Sequence, residues 1–441
     1  MLRGAPLAVA VFLLAAGGTL AVLAVTRDDD PPAFGPVTVE PGEPDPFAYD
    51  PDREDEFVAR ATAGHSHVLY EKSPGGVLAT ARRVERWRPE VEEAAAGEDV
   101  GPDILEAMVF LESAGYRTAR ASDDLEGAVG LTQILAETAG SLLGMKVDVR
   151  ESERLTRRMQ RRGPSERLLE RRRRVDERFD PAAALRGAAR YLAIAEERFG
   201  REDLAVVSYH MGIGNLGDVL DGYGDDEASW AQVYFDATPR NHPRAQSLLA
   251  GFGDDSATYL WRVYAAREIM RLYRGDRGEL ARLARLQTAQ PSSEEVLHPP
   301  GETAVFQTRD ELEDAYRSGA LRSFEGVRGM RLAAGVPRVR RGLRPEAYEL
   351  AVYLAAGVRD VGGTKAPLTV TEAVREADAG GRTQHATGFA FDVRRDYSSD
   401  TQAVAFQYML DRLQSLNMIA WVRDRDVIHI TSSSEAGKLV Q

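Results

Sequence analysis

Between Ile104 and Leu135 the chain reads ILEAMVFLESAGYRTARASDDLEGAVGLTQIL, an apolar helix that ends on an acid. Ile104, Leu105, Met108, Val109 and Leu111 recur at helical spacing and predict a buried stripe. Pro102 suits the first helical turn, where its missing N–H costs nothing. Glu112 then stands where the helix stops, beside Ser113, Ala114 and Gly115, half inside an apolar wall. Burial disfavours a charged carboxylate and raises its pKa, as a general acid working near neutrality requires. A glutamate at a helix end is more often a solvated surface residue, so the surrounding pattern has to decide. That pattern is a polar loop, a Gly127-Ala128-Val129-Gly130 turn, and a segment from Leu131 through Gln133 expected to run as helix to about Leu143.

A chain of 441 residues exceeds one ordinary core, so two or three domains are expected. The net charge of −13 argues against nucleic acid as a partner. Cysteine is absent, which excludes disulfides, thiolate metal sites, cysteine nucleophiles and a lipid-modified N-terminal cysteine.

Pro6 to Val25 is an uncharged run long enough to span a bilayer as a helix, with Arg3 before it and Arg27-Asp28-Asp29-Asp30 after it. It reads as a retained anchor or as a cleaved signal peptide; the absence of a clean small-x-small site favours the anchor. Its flanking charges put the rest of the chain outside the cytoplasm. Arg27 to Phe57 is rich in proline and acids and predicts an extended tether. Val58–Trp87 and Pro89–Ala95 read as helices packed on the next domain; His65 and His67, two residues apart, fall on different helix faces and are no ligand pair. The arginine-dominated stretch Arg150–Arg178 is either a solvated, partly helical excursion or a contact for anionic polymer or headgroups, since guanidinium pairs well with phosphate. Asp180-Pro181 opens another helix, and Ser256–Tyr273 reads as the closing one. A helical connector from Arg274 breaks at Gln290-Pro291-Ser292-Ser293. Beyond Glu294 short helices (Asp310–Arg317, Pro345–Leu354, Ala403–Leu416) alternate with strand-like runs (Ala366–Thr371, Gly388–Val393, Met418–Val422, Val427–Thr431), an α+β pattern.

Three ordered blocks, Glu112-Ser113, then Gly127-Ala128-Val129-Gly130-Leu131-x-Gln133, then Tyr209-His210-Met211-Gly212-Ile213-Gly214-Asn215, resemble the signatures of the soluble lytic transglycosylase family over roughly Glu90 to Arg274. The resemblance implies a lysozyme-like helical fold and cleavage of peptidoglycan glycan strands without consuming water. It implies that Glu112 is acid and then base, that Tyr209 orients the Glu112 carboxyl, and that Gln133 and Asn215 line the sugar cleft. Gly127, Gly130, Gly212 and Gly214 would let the backbone approach the glycan closely. His210-Met211-Gly212 stands where the family usually has Asn-Ala-Gly, which alters a substrate contact and leaves the acid in place. Asp123 and Asp124, in a loop longer than usual, keep a second outcome open: goose-type lysozymes use loop aspartates to position water, and hydrolysis would follow if either reached the cleft.

Gln384-His385-Ala386-Thr387-Gly388-Phe389-Ala390-Phe391-Asp392, followed by Asp426-Val427-Ile428-His429, resembles the zinc D-Ala-D-Ala metallopeptidases over about Arg344 to Ser434. The resemblance implies zinc ligands His385, Asp392 and His429, Asp426 as general base and Arg375 as the substrate-carboxylate clamp. Two histidines and one carboxylate leave a fourth position for water, as hydrolytic zinc needs. Asp426 is a methylene shorter than the usual glutamate, so the domain either cuts peptide stems or only grips them.

The expected architecture is multidomain: a transmembrane anchor (1–26), a disordered acidic linker (27–57), an all-α lysozyme-like domain (58–275) with an Arg-rich insertion (150–178), a linker (276–295) and an α+β metallopeptidase-like domain (296–441). The expected partners are peptidoglycan strands, their peptide stems and the membrane. The glycan chemistry needs no cofactor. A non-catalytic scaffold holding the wall is the rival reading.

Overall fold

The computed structural model describes residues 45, 47–377 and 384–439. The apolar run Pro6–Val25 and most of the acidic tether lie outside the described residues. Among those described, no helix is long and apolar enough to cross a membrane. The described residues form two compact units: Val68–Trp230 with Leu248–Ala281, and the second from residues up to His67 with Ala231–Ser247 and Arg282 onward.

The first unit is helical. Its central element is Pro102–Ser113, with Pro102 in the first turn and every residue from Ile104 to Ser113 buried. A single apolar stripe is therefore too modest a reading: the helix is enclosed on all sides. Even Glu106 is inside, its carboxylate held by Arg274 at 2.9 and 2.8 Å and by Arg88 at 3.4 Å. The helices Val77–Glu85, Arg88–Glu98 and Tyr259–Gly275 pack around it, and Pro181–Phe199 packs on Arg88–Glu98 and Glu202–Met211.

The expected helix beyond Gln133 starts only at residue 136 and finishes as a five-residue wide turn, Thr138–Leu142. The arginine-rich insertion is two helices packed on each other, Val149–Arg162 and Glu166–Val175. Most of its guanidinium groups are exposed, but Arg172 is buried with its cation 3.7 Å from the Phe179 ring centre. Arg178 is wholly buried. It pairs with Asp176 at 2.9 Å and donates to the carbonyls of Leu125 (2.7 Å), Gly127 (3.0 Å) and Ile134 (3.4 Å). The insertion thus holds the underside of the signature loop.

The second unit is a five-stranded sheet with helices. Its strands are β1 (Met330–Leu332), β2 (Leu368–Glu372), β3 (Ala390–Arg394), β4 (Ile419–Arg423) and β5 (Val427–Ser432), in the order β1-β2-β3-β5-β4. β1 and β2 are parallel and the other pairs antiparallel. The Pro345–Gly362 and Asp400–Ser415 helices pack on each other beside the sheet. Phe391 and Val393 of β3 and Ile428 and Ile430 of β5 are buried. Alternation puts Asp392 and His429 on the other face, and the register sets them directly opposite.

Two boundaries differ from the sequence expectation. The Glu54–Gly64 helix belongs to the second unit, because Phe57 packs on Phe235 (ring centres 5.0 Å apart) and the helix lies on Asp400–Ser415. The segment read as a linker, 276–295, carries the helix Arg277–Ala289 and runs into Glu294–Leu297, where Glu294 and Glu295 are buried in the second unit.

Candidate functional site

In the helical unit the central helix ends by design at its acid. Ala114 and Gly115 both take positive φ (50° and 78°), which turns the chain sharply after Ser113. Arg83 donates to the Ala114 carbonyl at 3.0 Å and Trp87 Nε1 to that of Gly115 at 2.9 Å, so the freed carbonyls are satisfied. Glu112 is left 7 % exposed, and its Oε1 accepts the hydroxyl of Tyr259 at 2.6 Å. Burial pushes the carboxyl up to about 7; the Tyr259 bond pulls against this, and the Asp255 charge adds to it. Tyr259 itself is held well above its usual value by burial and then by the Glu112 charge, so it remains a donor.

The phenol on the acid is therefore Tyr259 and not Tyr209. The Tyr209 hydroxyl donates to the Thr132 carbonyl at 2.8 Å, and its ring meets Tyr191 edge-on. Tyr209 does feel the Glu112 charge, after burial the next cause of its own raised pKa, so it borders the acid without bonding it. Tyr259 lies in the stretch read only as the closing helix, with no motif around it, so the sequence alone does not mark it. His210, the residue that departs from the resembled pattern, stacks on Tyr259 (centres 5.0 Å apart, 29° between planes). It is fixed by Ser256 Oγ at 2.9 Å and faces Asp255 at 3.4 Å. Asp255 is itself paired with Arg262. His210, Asp254 and Asp255 cluster closely enough to meet a cation, but the Arg262 guanidinium already fills that role.

Gln133 is buried in the left-handed region (φ 53°), a costly conformation for a side-chain residue, and its amide folds onto the Gly130 carbonyl at 2.8 Å. Asn215 is exposed and donates to the Met211 carbonyl at 2.8 Å. Gly130 has a different reason from the one expected: at φ 83°, an added Cβ would lie 1.9 Å from the Arg178 carbonyl oxygen. The glycine serves packing against the insertion. Neither loop aspartate is committed to the acid: Asp123 pairs with Arg120 at 2.5 Å and Gln160 at 3.2 Å, and Asp124 caps Glu126 at 2.9 Å, both exposed.

In the second unit His385, Asp392 and His429 do converge. Each offers one ligand atom, and the three lie within 4.8 Å of one another. His385 Nε2 is 3.2 Å and His429 Nδ1 2.7 Å from Asp392 Oδ1. Burial alone would raise the Asp392 carboxyl, but the two histidines hold it well below its usual range. His385 Nδ1 donates to the Ala373 carbonyl at 2.8 Å, and His429 Nε2 meets Glu294 Oε2 at 2.9 Å. Both outer nitrogens thus have acceptors, so a divalent cation could replace the inner hydrogens and take the inner nitrogens and Asp392 as its donor set. Arg375 adjoins through its backbone N–H, 3.4 Å from the His385 carbonyl, and its guanidinium is 3.5 Å from Glu372.

Asp426 makes no described hydrogen bond to this trio. It is exposed at the turn before β5, where its carbonyl accepts from the Arg395 N–H at 2.9 Å. Glu294 was missed because it sat in an apparent linker with no motif around it.

Residues 90–230 match the family described as Transglycosylase SLT domain. The chain is similar to a membrane-bound lytic murein transglycosylase F 2 of Alkalilimnicola ehrlichii, 27% identical over 161 residues, covering 34% of this chain but only 28% of that protein. It is also similar to an endo-type membrane-bound lytic murein transglycosylase A of Klebsiella pneumoniae, 27% identical over 231 residues, covering 48% of this chain and 95% of that protein. The helical unit, by these matches, carries a region of the transglycosylase SLT type.

Proposed function

We propose that the chain is a peptidoglycan lytic transglycosylase in which Glu112 does the acid–base work alone. The observation that carries this reading is a single buried carboxyl, pushed up to about 7, steadied by one phenol at 2.6 Å. A carboxyl with that proton affinity is protonated often enough to give its proton to the glycosidic oxygen that leaves N-acetylmuramic acid. The C1–oxygen bond breaks as that proton arrives. The same carboxylate then takes the proton of the sugar's 6-hydroxyl, whose oxygen bonds C1 and closes a 1,6-anhydro ring. Atoms balance without water, and the nucleophile is already held on the substrate. Gln133, Tyr209 and Asn215 line the cleft in this reading. The exposed, already engaged Asp123 and Asp124 speak against goose-type hydrolysis. Membrane attachment through the Pro6–Val25 run is part of the proposal and agrees with the names of the relatives.

Digestion of purified wall by the full chain and by Glu112→Gln, with products weighed, tests this. Anhydro-ended fragments that vanish in the variant are the expected result. Reducing ends one water heavier would replace transglycosylation with hydrolysis, and unchanged wall function in Glu112→Gln would leave only a scaffold.

The second reading concerns the peptide stems. It is favoured by the convergence of His385, Asp392 and His429, which would hold a zinc ion. Bound zinc supplies a Lewis acid and a water of lowered pKa. This chain's own residues would then grip the stem, with Arg375 as its carboxylate partner, and no base is assigned because Asp426 makes no described hydrogen bond to the trio.

A further inference from the structure

The trio of the second unit has an unusual proton inventory. A carbonyl can only accept, so the 2.8 Å contact with Ala373 fixes a hydrogen on His385 Nδ1 and bares Nε2. On the other ring, Glu294 Oε2 lies 2.9 Å from His429 Nε2 and also accepts the Thr431 hydroxyl at 2.9 Å. Glu294 is 1 % exposed and His429 1 %. A buried carboxylate on Nε2 places a hydrogen there and turns Nδ1 toward Asp392, 2.7 Å away. Two inner nitrogens and a carboxylate oxygen then face one another at distances that either hydrogens or one cation must bridge.

We propose that Glu294 is the positioning residue of this centre: it fixes the His429 ring and its tautomer so that Nδ1, and not Nε2, is presented with His385 Nε2 and Asp392 to a divalent cation. The inference rests on the metal reading given above and adds to it a group supplied from outside the motif. Glu294 arrives from a four-residue helix, Glu294–Leu297, more than ninety positions before the first ligand (~90). A carboxylate behind a ligating imidazole raises the basicity of the ligand and forbids the ring to flip, and loss of such a partner typically weakens metal binding about 10- to 100-fold. The competing arrangement is a doubly protonated His429 clamped between Asp392 and Glu294 as a purely structural ion group.

The test uses the full chain stripped of metal with a chelator and titrated with zinc alone, for wild type, Glu294→Gln, Glu294→Ala and His385→Ala. Nitrogen-15 spectra of the imidazoles are recorded on the zinc-loaded and metal-free forms, with the His429 signals assigned by their loss in His429→Ala. Expected are one zinc per wild-type chain, none in His385→Ala, and affinity about 10- to 100-fold weaker in the Glu294 variants, with the isosteric Gln the milder. Zinc-loaded wild type should show His429 protonated on Nε2 and ligating through Nδ1, and zinc-loaded Glu294→Ala a mixture of the two ligating nitrogens. The spectra read a tautomer, which a merely structural role would not move, and the Gln variant preserves shape if Ala fails to fold. Zinc binding by wild type with unchanged affinity and tautomer in both Glu294 variants overturns the role of Glu294 and leaves the metal reading standing. No zinc uptake by wild type, with His429 doubly protonated, overturns both.

Discussion

Two opposing contributions set the proton affinity of Glu112: burial raises it and the hydrogen bond from Tyr259 lowers it. Removing the phenol in Tyr259→Phe takes away a bond to the charged form worth about 1.5–3 kcal/mol gross, part of which the neutral acid also enjoys. The carboxyl should therefore rise by about one further unit. Because the acid must carry its proton, the alkaline limb of the pH–rate profile should move up by that unit while the maximal rate falls; an unmoved limb would mean that the bond does not govern the proton. The same burial is a stability statement. The folded pKa of about 7 lies above the ordinary 4.5, so the folded state binds this proton more tightly. The stability it confers is whole below pH 4.5 and is lost as pH rises through 7, to about 3 kcal/mol. Glu112→Gln should accordingly match wild type in urea denaturation at pH 4 and exceed it by up to that amount at pH 8; equal midpoints at both would contradict the buried-acid account. The acid was legible in the sequence because it ends an apolar helix. Its phenol was not, because the 147 positions separating Tyr259 from Glu112 are bridged only by the fold.

At the scale of elements, the loop that carries Gln133 is held by its neighbour in space and not by its own propensities. Arg178 donates to the carbonyls of Leu125, Gly127 and Ile134 while pairing with Asp176, all without solvent. Deleting one partner of such a group strands a buried charge and several carbonyls, so Arg178→Met should cost on the order of 3–5 kcal/mol by urea midpoint at constant m. Arg161→Met, on the exposed face of the same insertion, should change stability by less than about 0.5 kcal/mol. Gly130→Ala should weaken the fold on the same side, since its Cβ would meet the Arg178 carbonyl at 1.9 Å. Comparable losses for Arg161→Met and Arg178→Met would remove the distinction. The sequence showed a cluster of arginines and could not rank them, because a charge run looks alike whether its members face water or a carbonyl. Periodicity located four strands of the second unit within a few residues but missed Met330–Leu332, ended the Pro345–Gly362 helix eight residues early and ran Glu54–Gly64, His67–Lys72 and Val77–Glu85 together. It failed past Gln133, where a positive φ at that residue stops a helix that the apolar spacing alone would continue.

For the whole molecule, the two candidate centres make different demands on the solution, and that difference separates them experimentally. Glu112 and Tyr259 belong to the unit of Val68–Trp230 and Leu248–Ala281; His385, Asp392, His429 and Glu294 belong to the unit that begins again at Arg282. Nothing in the glycan step requires more than a carboxyl and the substrate's own hydroxyl. The stem chemistry proposed for the second centre, in contrast, would need a cation among its three donors. Treatment with EDTA should therefore leave the yield of anhydro-ended glycan unchanged, within about twofold, while abolishing any cleavage of peptide stems; zinc alone should restore the latter. The readout is one digestion scored for both products by mass. Loss of anhydro ends on chelation would put a metal into the first chemistry, against the lone-acid account, and stem cleavage that survives chelation would assign it to something other than the trio. Two candidate chemistries were legible in the sequence, because each motif is local. The boundary between them was not, because the Glu54–Gly64 helix and the segment around Glu294 join their unit by long-range packing that no local pattern records.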